Sequence, residues 1–426
     1  MGSRPSPCLE CGMSSTTDAG AARSTEFRDD AGLIGLVGLA HLVSHFSQLL
    51  LAPLFPWLKD AFDASYIELG FLMTLFFAVS CAVQTVSGFL VDRFGPRPIL
   101  FGGLVLLGAT SFGFALSPNY GTMALCSVLA GVGNGVFHPA DYTLLNRKVS
   151  PARLGHAYSV HGITGSLGWA LAPALVVPLA LAFSWRVALM AAGTLAFVVL
   201  AVLLFNRQRL TVPAIATPAA RARAAAPGEG SLDFLRIPAV WMCFGFFFFY
   251  AFVLSLVQAF APESARQLHN VPMAAAAMCL TAYMICSAGG MALGGFLAAD
   301  PARCEKVVGL GFGVAALVAL LVALAPVPGL AVPALFGIMG LSTGLAAPSR
   351  DLLVKRSTPE NATGRVYGVV YSGLDIGQAI SPLIFGVLMD HQQYRAIWLG
   401  LVLLQAVLIT SAFNVGRVRR TVLAAA

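Results

Sequence analysis

Charge is what this chain has least of. Of its 426 residues, 11% are Asp, Glu, Lys or Arg and 58% are hydrophobic, with a mean hydropathy of +0.81. A soluble domain carries about 25% charge, so a water-facing surface around an apolar core is excluded and lipid is the expected solvent. A cysteine framework is missing too. Most of the eight cysteines lie inside apolar runs, where they act as small soft hydrophobes. Cys8 and Cys11 form one CxxC in a polar stretch, with no second pair to complete a zinc set. No GxxxxGK[ST] phosphate loop is present, which excludes ATP as the driving ligand. The nucleophile–base pair, metal-ligand spacing or soluble signalling domain expected of a membrane enzyme or sensor is also missing. No cofactor and no metal are expected.

What the chain does have is apolar runs, and it has them twice over. Runs long enough to span lie at about 33–56, 67–91, 98–117, 121–144, 156–182 and 184–206. A second set lies at about 236–261, 272–298, 304–325, 328–350, 363–389 and 392–415. Each meets the roughly 20 residues needed to cross the hydrocarbon. The stretch Gly131–Pro173 recurs 209 residues further on as Gly340–Pro382. Without a gap the shift pairs Gly131 with Gly340, Gly135 with Gly344, Pro139 with Pro348, Arg147 with Arg356, Gly168 with Gly377 and Pro173 with Pro382. A repeat of half the chain in unchanged order marks two halves of like topology. The expected organisation is all-α, with twelve transmembrane helices in two six-helix bundles. A disordered cytoplasmic tail covers 1–32, the first bundle 33–206, a cytoplasmic linker 207–235, the second bundle 236–415 and a cytoplasmic tail 416–426.

Lys and Arg set the orientation. With the N-terminus inside, Lys59, Arg186, Arg266 and Arg395 face outward and the other Lys and Arg of the 26 fall on the cytoplasmic side. The net charge of +7 is therefore a topology signal and not a nucleic-acid face.

Between the second and third runs the chain reads Gly88-Phe-Leu90-Val-Asp92-Arg93-Phe-Gly95-Pro-Arg97. This resembles the G-x-L-x-D-R-x-G-x-R signature of the major facilitator superfamily, at the place where that family carries it. The resemblance covers about residues 30–420 and implies the major facilitator fold. It also implies that Gly88, Asp92, Arg93, Gly95 and Arg97 form a conformational latch between the halves. Asp92 would lie beside the N-terminus of the eleventh helix, where a carboxylate gains about 0.3–1 kcal/mol. Within the superfamily, His41-Leu-Val-Ser44-His45, Gly133-x-Gly135-Val-Phe137-His138-Pro139 and the glycines 162, 165 and 168 resemble the fosmidomycin-resistance type of exporter. His45 and Ala140 stand where that group would carry acidic residues.

The scarce polar residues inside the runs are the candidate site. An ionisable side chain in a membrane is costly and by default functional. Asp375, midway along the eleventh run, is the clearest candidate for proton binding; a structural carboxylate is the alternative. His41 and His45 stand four apart on one helical face, and His138 and His161 follow on the fourth and fifth runs. They are candidates for proton relay or anion binding, or else satisfied core histidines. Gln48, Gln84, Gln258 and Gln378 are candidate cavity hydrogen-bonders. Asp141 and Arg350 occupy equivalent positions in the repeat and are candidates for an inner gate that breaks as the cavity opens inward, or else two interfacial anchors. The glycines of the fourth and fifth runs read as surfaces along which backbones approach.

The resulting expectation is a secondary transporter of the bacterial inner membrane, not an enzyme, that exports a small organic compound or drug in exchange for protons by alternating access. The alternative is proton-coupled uptake of a small organic anion, with His41, His45, His138 and Arg350 supplying positive charge. The expected partners are a small-molecule substrate, protons and the lipid bilayer, with no nucleic acid, and the protein is expected to be a monomer.

Overall fold

The structure is a computed structural model that describes residues 15–151, 153–212, 238–297, 303–357 and 363–425. These residues are helical throughout, with no strand among them. The first half holds α1 (Ser15–Gln48), α2 (Phe55–Phe62), α3 (Tyr66–Phe94), α4 (Pro96–Leu116), α5 (Tyr120–Asn134), α6 (Phe137–Lys148), α7 (Leu154–Ala182) and α8 (Trp185–Phe205). The second half holds α9 (Pro238–Ala259), α10 (Ala261–His269), α11 (Met273–Leu297), α12 (Cys304–Leu324), α13 (Val332–Ser357), α14 (Thr363–Asp390) and α15 (Tyr394–Ala425). Twelve spans are long and apolar enough to cross a membrane. The chain is therefore a multi-pass membrane protein.

Local chemistry starts several of these helices. Ser65 and Glu68 form a reciprocal capping box at the start of α3, Asn119 caps α5 and Ser184 caps α8. Gly95 joins α3 to α4 with φ +85° and ψ 157°, a conformation that any Cβ disfavours.

Three features differ from the sequence reading. Residues 15–32 continue α1 instead of standing apart as an irregular tail. The fourth run is split into α5 and α6 at Gly135–Val136. Two short amphipathic helices, α2 and α10, follow the first and seventh spans. They match across the halves, ending in left-handed caps at Asp63 (φ 49°) and Asn270 (φ 51°). Most of the proposed linker, residues 213–235, lies outside the described residues.

The repeat is visible as packing. In the first half α1 packs on α7, α3 on α5 and α4 on α8; in the second α9 packs on α14, α11 on α13 and α12 on α15. Glycine permits the close approaches. A Cβ on Gly135 would strike the Ser80 carbonyl of α3, and one on Gly344 the Ser287 carbonyl of α11. A Cβ on Gly168 would meet Leu42 of α1, and one on Gly377 would meet Phe248 of α9. With no hydrophobic drive between helices in lipid, such backbone contact holds them together.

The halves meet along α3 with α14 and α7 with α11. At the end away from the termini this seam is tight. The Asp390 carboxylate accepts the N–H of Tyr66 at 2.6 Å and of Ile67 at 2.9 Å, capping α3 from the other half. The Thr74 hydroxyl donates to the Ala379 carbonyl at 2.6 Å, and Gly70 lies against Pro382. Toward the termini, Gly88 on α3, Gly162 on α7 and Gly289 and Gly295 on α11 have open space where a Cβ would point.

Candidate functional site

Two groups of polar side chains stand inside the apolar body. The first lies at the seam between the halves. Asp375 is partly buried on α14 and its Oδ2 accepts a hydrogen bond from Gln84 Nε2 of α3 at 3.4 Å. A proton binding to Asp375 would therefore act on a bond that joins the two bundles. Across the other seam, Ser166 of α7 donates to the Met291 sulfur of α11 at 3.8 Å.

Proline shapes the helices here. Pro139 cannot donate to the Gly135 carbonyl four residues back, and the Ser87 hydroxyl donates to it instead at 3.1 Å. Pro382 likewise leaves the Gln378 carbonyl free, and Ser255 of α9 donates to it at 3.3 Å. The same substitution of a side-chain hydroxyl for a missing backbone N–H thus recurs in both halves. Gln378 is buried, and its Oε1 has no hydrogen-bond partner. Gln258 is buried on α9, with Nε2 unpartnered.

The second group lies within the first bundle. His41 and His45 on α1, His138 and Asp141 on α6 and His161 on α7 converge. His41 and His161 stack with ring centroids 3.5 Å apart, and His41 lies 4.3 Å from His45 and 5.2 Å from His138. Asp141 is 0% exposed; its Oδ2 lies 3.2 Å from His161 Nε2 and 3.3 Å from His41 Nδ1. The outer face of the cluster is aromatic: Tyr142 stacks on His138, Tyr158 packs edge-on to Tyr142, and Trp169 lies over His45.

Sequence reasoning missed the centre of the adjoining network. Asn134 ends α5, accepts from the Ser44 hydroxyl at 2.7 Å and donates to Ser80 Oγ at 2.8 Å. Gln48 donates to the same Asn134 oxygen at 3.4 Å and accepts from Trp169 Nε1 at 3.1 Å. This network joins α1, α3, α5 and α7. A lone Asn in an otherwise apolar run was the available signal.

In this state Asp141 and Arg350 are apart: the ion pairs of Asp141 are with His41 and His161, and the Arg350 guanidinium lies over Tyr250 at 4.2 Å and Phe247 at 5.2 Å in its own half. An inner gate that breaks as the inner side opens would be parted in the same way. His41, His138 and His161 each bring a ligand atom within 4.8 Å of the others, a grouping the sequence spacing did not show. Of the signature motif, Gly95 makes the turn, Arg93 lies exposed over Phe94, Arg97 donates to Thr211 at 2.7 Å, and Gly88 faces open space. The Asp92 side chain lies outside the described residues.

Twelve membrane spans, a packing repeat and ionisable groups held at the seam define a two-bundle membrane carrier. Residues 37–338 and 259–422 match the Major Facilitator Superfamily, and the chain belongs to that family. It is similar to the fosmidomycin resistance protein of Escherichia coli (strain K12), 32% identical over 166 residues, 37% of this chain and 39% of that protein. It is also similar to the hexuronate transporter of Bacillus subtilis (strain 168), 25% identical over 163 residues, 38% of each. The matched stretch thus spans about two fifths of the length of these relatives. Among solved structures, a bacterial homolog of the human lysosomal transporter Spinster, inward-facing and occupied, shares the fold. Its TM-score is 0.75 at 15% identity, over 91% of this chain and 97% of that one.

Proposed function

We propose that the protein is a secondary active transporter that exports a small organic compound in exchange for protons, by alternating exposure of a site between its two bundles. The observation that carries this reading is the Asp375–Gln84 bond across the seam. An ionised Asp375 accepts from Gln84 and draws α14 toward α3. A protonated Asp375 is a weaker acceptor and loosens the link. Substrate and proton then compete for one state of the seam, which is the condition for exchange. With the termini cytoplasmic, the Asp390 clasp on α3 closes the outer side, and the open glycines of α3, α7 and α11 lie on the inner side. The imidazoles around Asp141 need not titrate for this step.

Export is supported by the likeness to the fosmidomycin resistance protein. Uptake of an organic anion is the second reading, supported by the likeness to the hexuronate transporter and by Arg350. Everted membrane vesicles with a pH-sensitive dye separate the two. Under export, an added substrate discharges an inside-acid gradient and is concentrated inside the vesicles. Under uptake, intact cells accumulate it and everted vesicles do not.

A further inference from the structure

We infer that the cluster of His41, His138, His161 and Asp141 is a binding site for a divalent first-row transition-metal cation of the zinc type. This goes beyond the transport reading and does not rest on it.

The spacing is the first argument. Zinc bonds of about 2.0–2.2 Å to imidazole nitrogen and carboxylate oxygen, at tetrahedral angles, place neighbouring donors about 3.3–3.5 Å apart. His161 Nε2 and His41 Nδ1 lie 3.2 and 3.3 Å from Asp141 Oδ2, which are two edges of such a tetrahedron. His138 supplies the fourth corner: one ligand atom from each of the three histidines lies within 4.8 Å of the others.

The second argument is where these atoms point. His41 Nδ1 stands at ion-pair distance from Asp141 yet forms no hydrogen bond. His138 Nδ1 and Asp141 Oδ1 are also buried without a partner, and so are both ring nitrogens of His45, beside His41. Buried polar atoms are satisfied in nearly all proteins, so this many orphans on facing rings point to a shared ligand. A cation fits it, because Asp141 is fully buried with only imidazoles as ion-pair partners and a buried carboxylate needs positive charge beside it. Imidazole with one carboxylate suits zinc, nickel or cobalt in preference to calcium or magnesium.

The third argument is exposure. His138 is only partly buried and stacks on Tyr142, which is 42% exposed, so the ring that completes the set is the least enclosed of the three. A bound cation would tie α1, α6 and α7 at the place where the first bundle bends.

The test uses the full chain in detergent without a polyhistidine tag, with Cys8→Ser and Cys11→Ser removing the other candidate donors. Co2+ is titrated and its ligand-field absorption read. The expected result is one saturable equivalent with the strong absorption of four-coordinate Co2+, displaced by Zn2+. His138→Ala and His161→Gln each weaken it at least about tenfold, since even partners behind the ligands matter by about 10–100-fold. His161→Gln keeps a hydrogen-bonding group against Asp141, and circular dichroism checks that both variants keep their helices. His269→Ala, outside the cluster, leaves binding unchanged. No saturable absorption, or absorption that survives both cluster variants, overturns the inference.

Discussion

Asn134 shows how much one polar side chain settles in lipid. It accepts from Ser44 and donates to Ser80, so it fixes α1 and α3 against the end of α5. Asn134→Ala would leave two buried hydroxyls without their partner, a loss of about 1–3 kcal/mol for each group left unsatisfied. The expected result is a lower unfolding midpoint in detergent, read by circular dichroism, with Thr194→Ala on the exposed face of α8 as an unaffected control. At this scale the sequence was partly legible. The i,i+4 pair His41 and His45 and the rarity of Asp375 could be read directly, because cost in lipid makes such residues stand out. The partners could not. Asp141 is four residues from none of the histidines on α1 or α7, and only the tertiary fold brings its carboxylate between them. Its expected pairing with Arg350 rested on repeat position, which records equivalence and says nothing of the histidines that hold Asp141 in this state.

Among the helices, the breaks and clasps carry the functional detail. The runs and their order were legible from hydropathy. The break between α5 and α6 was not, although its cause is local: Pro139 removes a donor and Ser87 replaces it. The short helices α2 and α10 were also missed, since eight or nine amphipathic residues add little to a hydropathy profile. The most consequential contact between helices is Asp390 on the N-terminus of α3. Hydrogen bonds to a charged acceptor contribute about 1.5–3 kcal/mol, and the helix dipole adds to them. Asp390→Asn keeps the shape and removes the charge, so the closed outer side should lose roughly tenfold or more in population. In a background without native cysteines, a cysteine replacing Thr74 reports on this seam. Its labelling by a membrane-impermeant maleimide should speed up about tenfold in the Asp390→Asn chain. An unchanged rate would show that Asp390 does not hold the seam.

For the whole molecule, the repeat was the most legible feature, and the structure returns it as the same helix pairs in contact in both halves. Gly135 and Gly344, and Gly168 and Gly377, were paired by sequence alone and prove to be matching backbone contacts. What no single half reveals is the seam, because contacts between α3 and α14 join residues some 300 positions apart, and no periodicity records them. There the account makes its central claim, that Asp375 links proton binding to the relative position of the two bundles. The direct measurement is transport by Asp375→Asn in proteoliposomes, run once as substrate counterflow with no proton gradient and once with a gradient imposed. The account predicts that counterflow persists while gradient-driven accumulation is abolished. Accumulation driven by the proton gradient at the unmodified rate would contradict it.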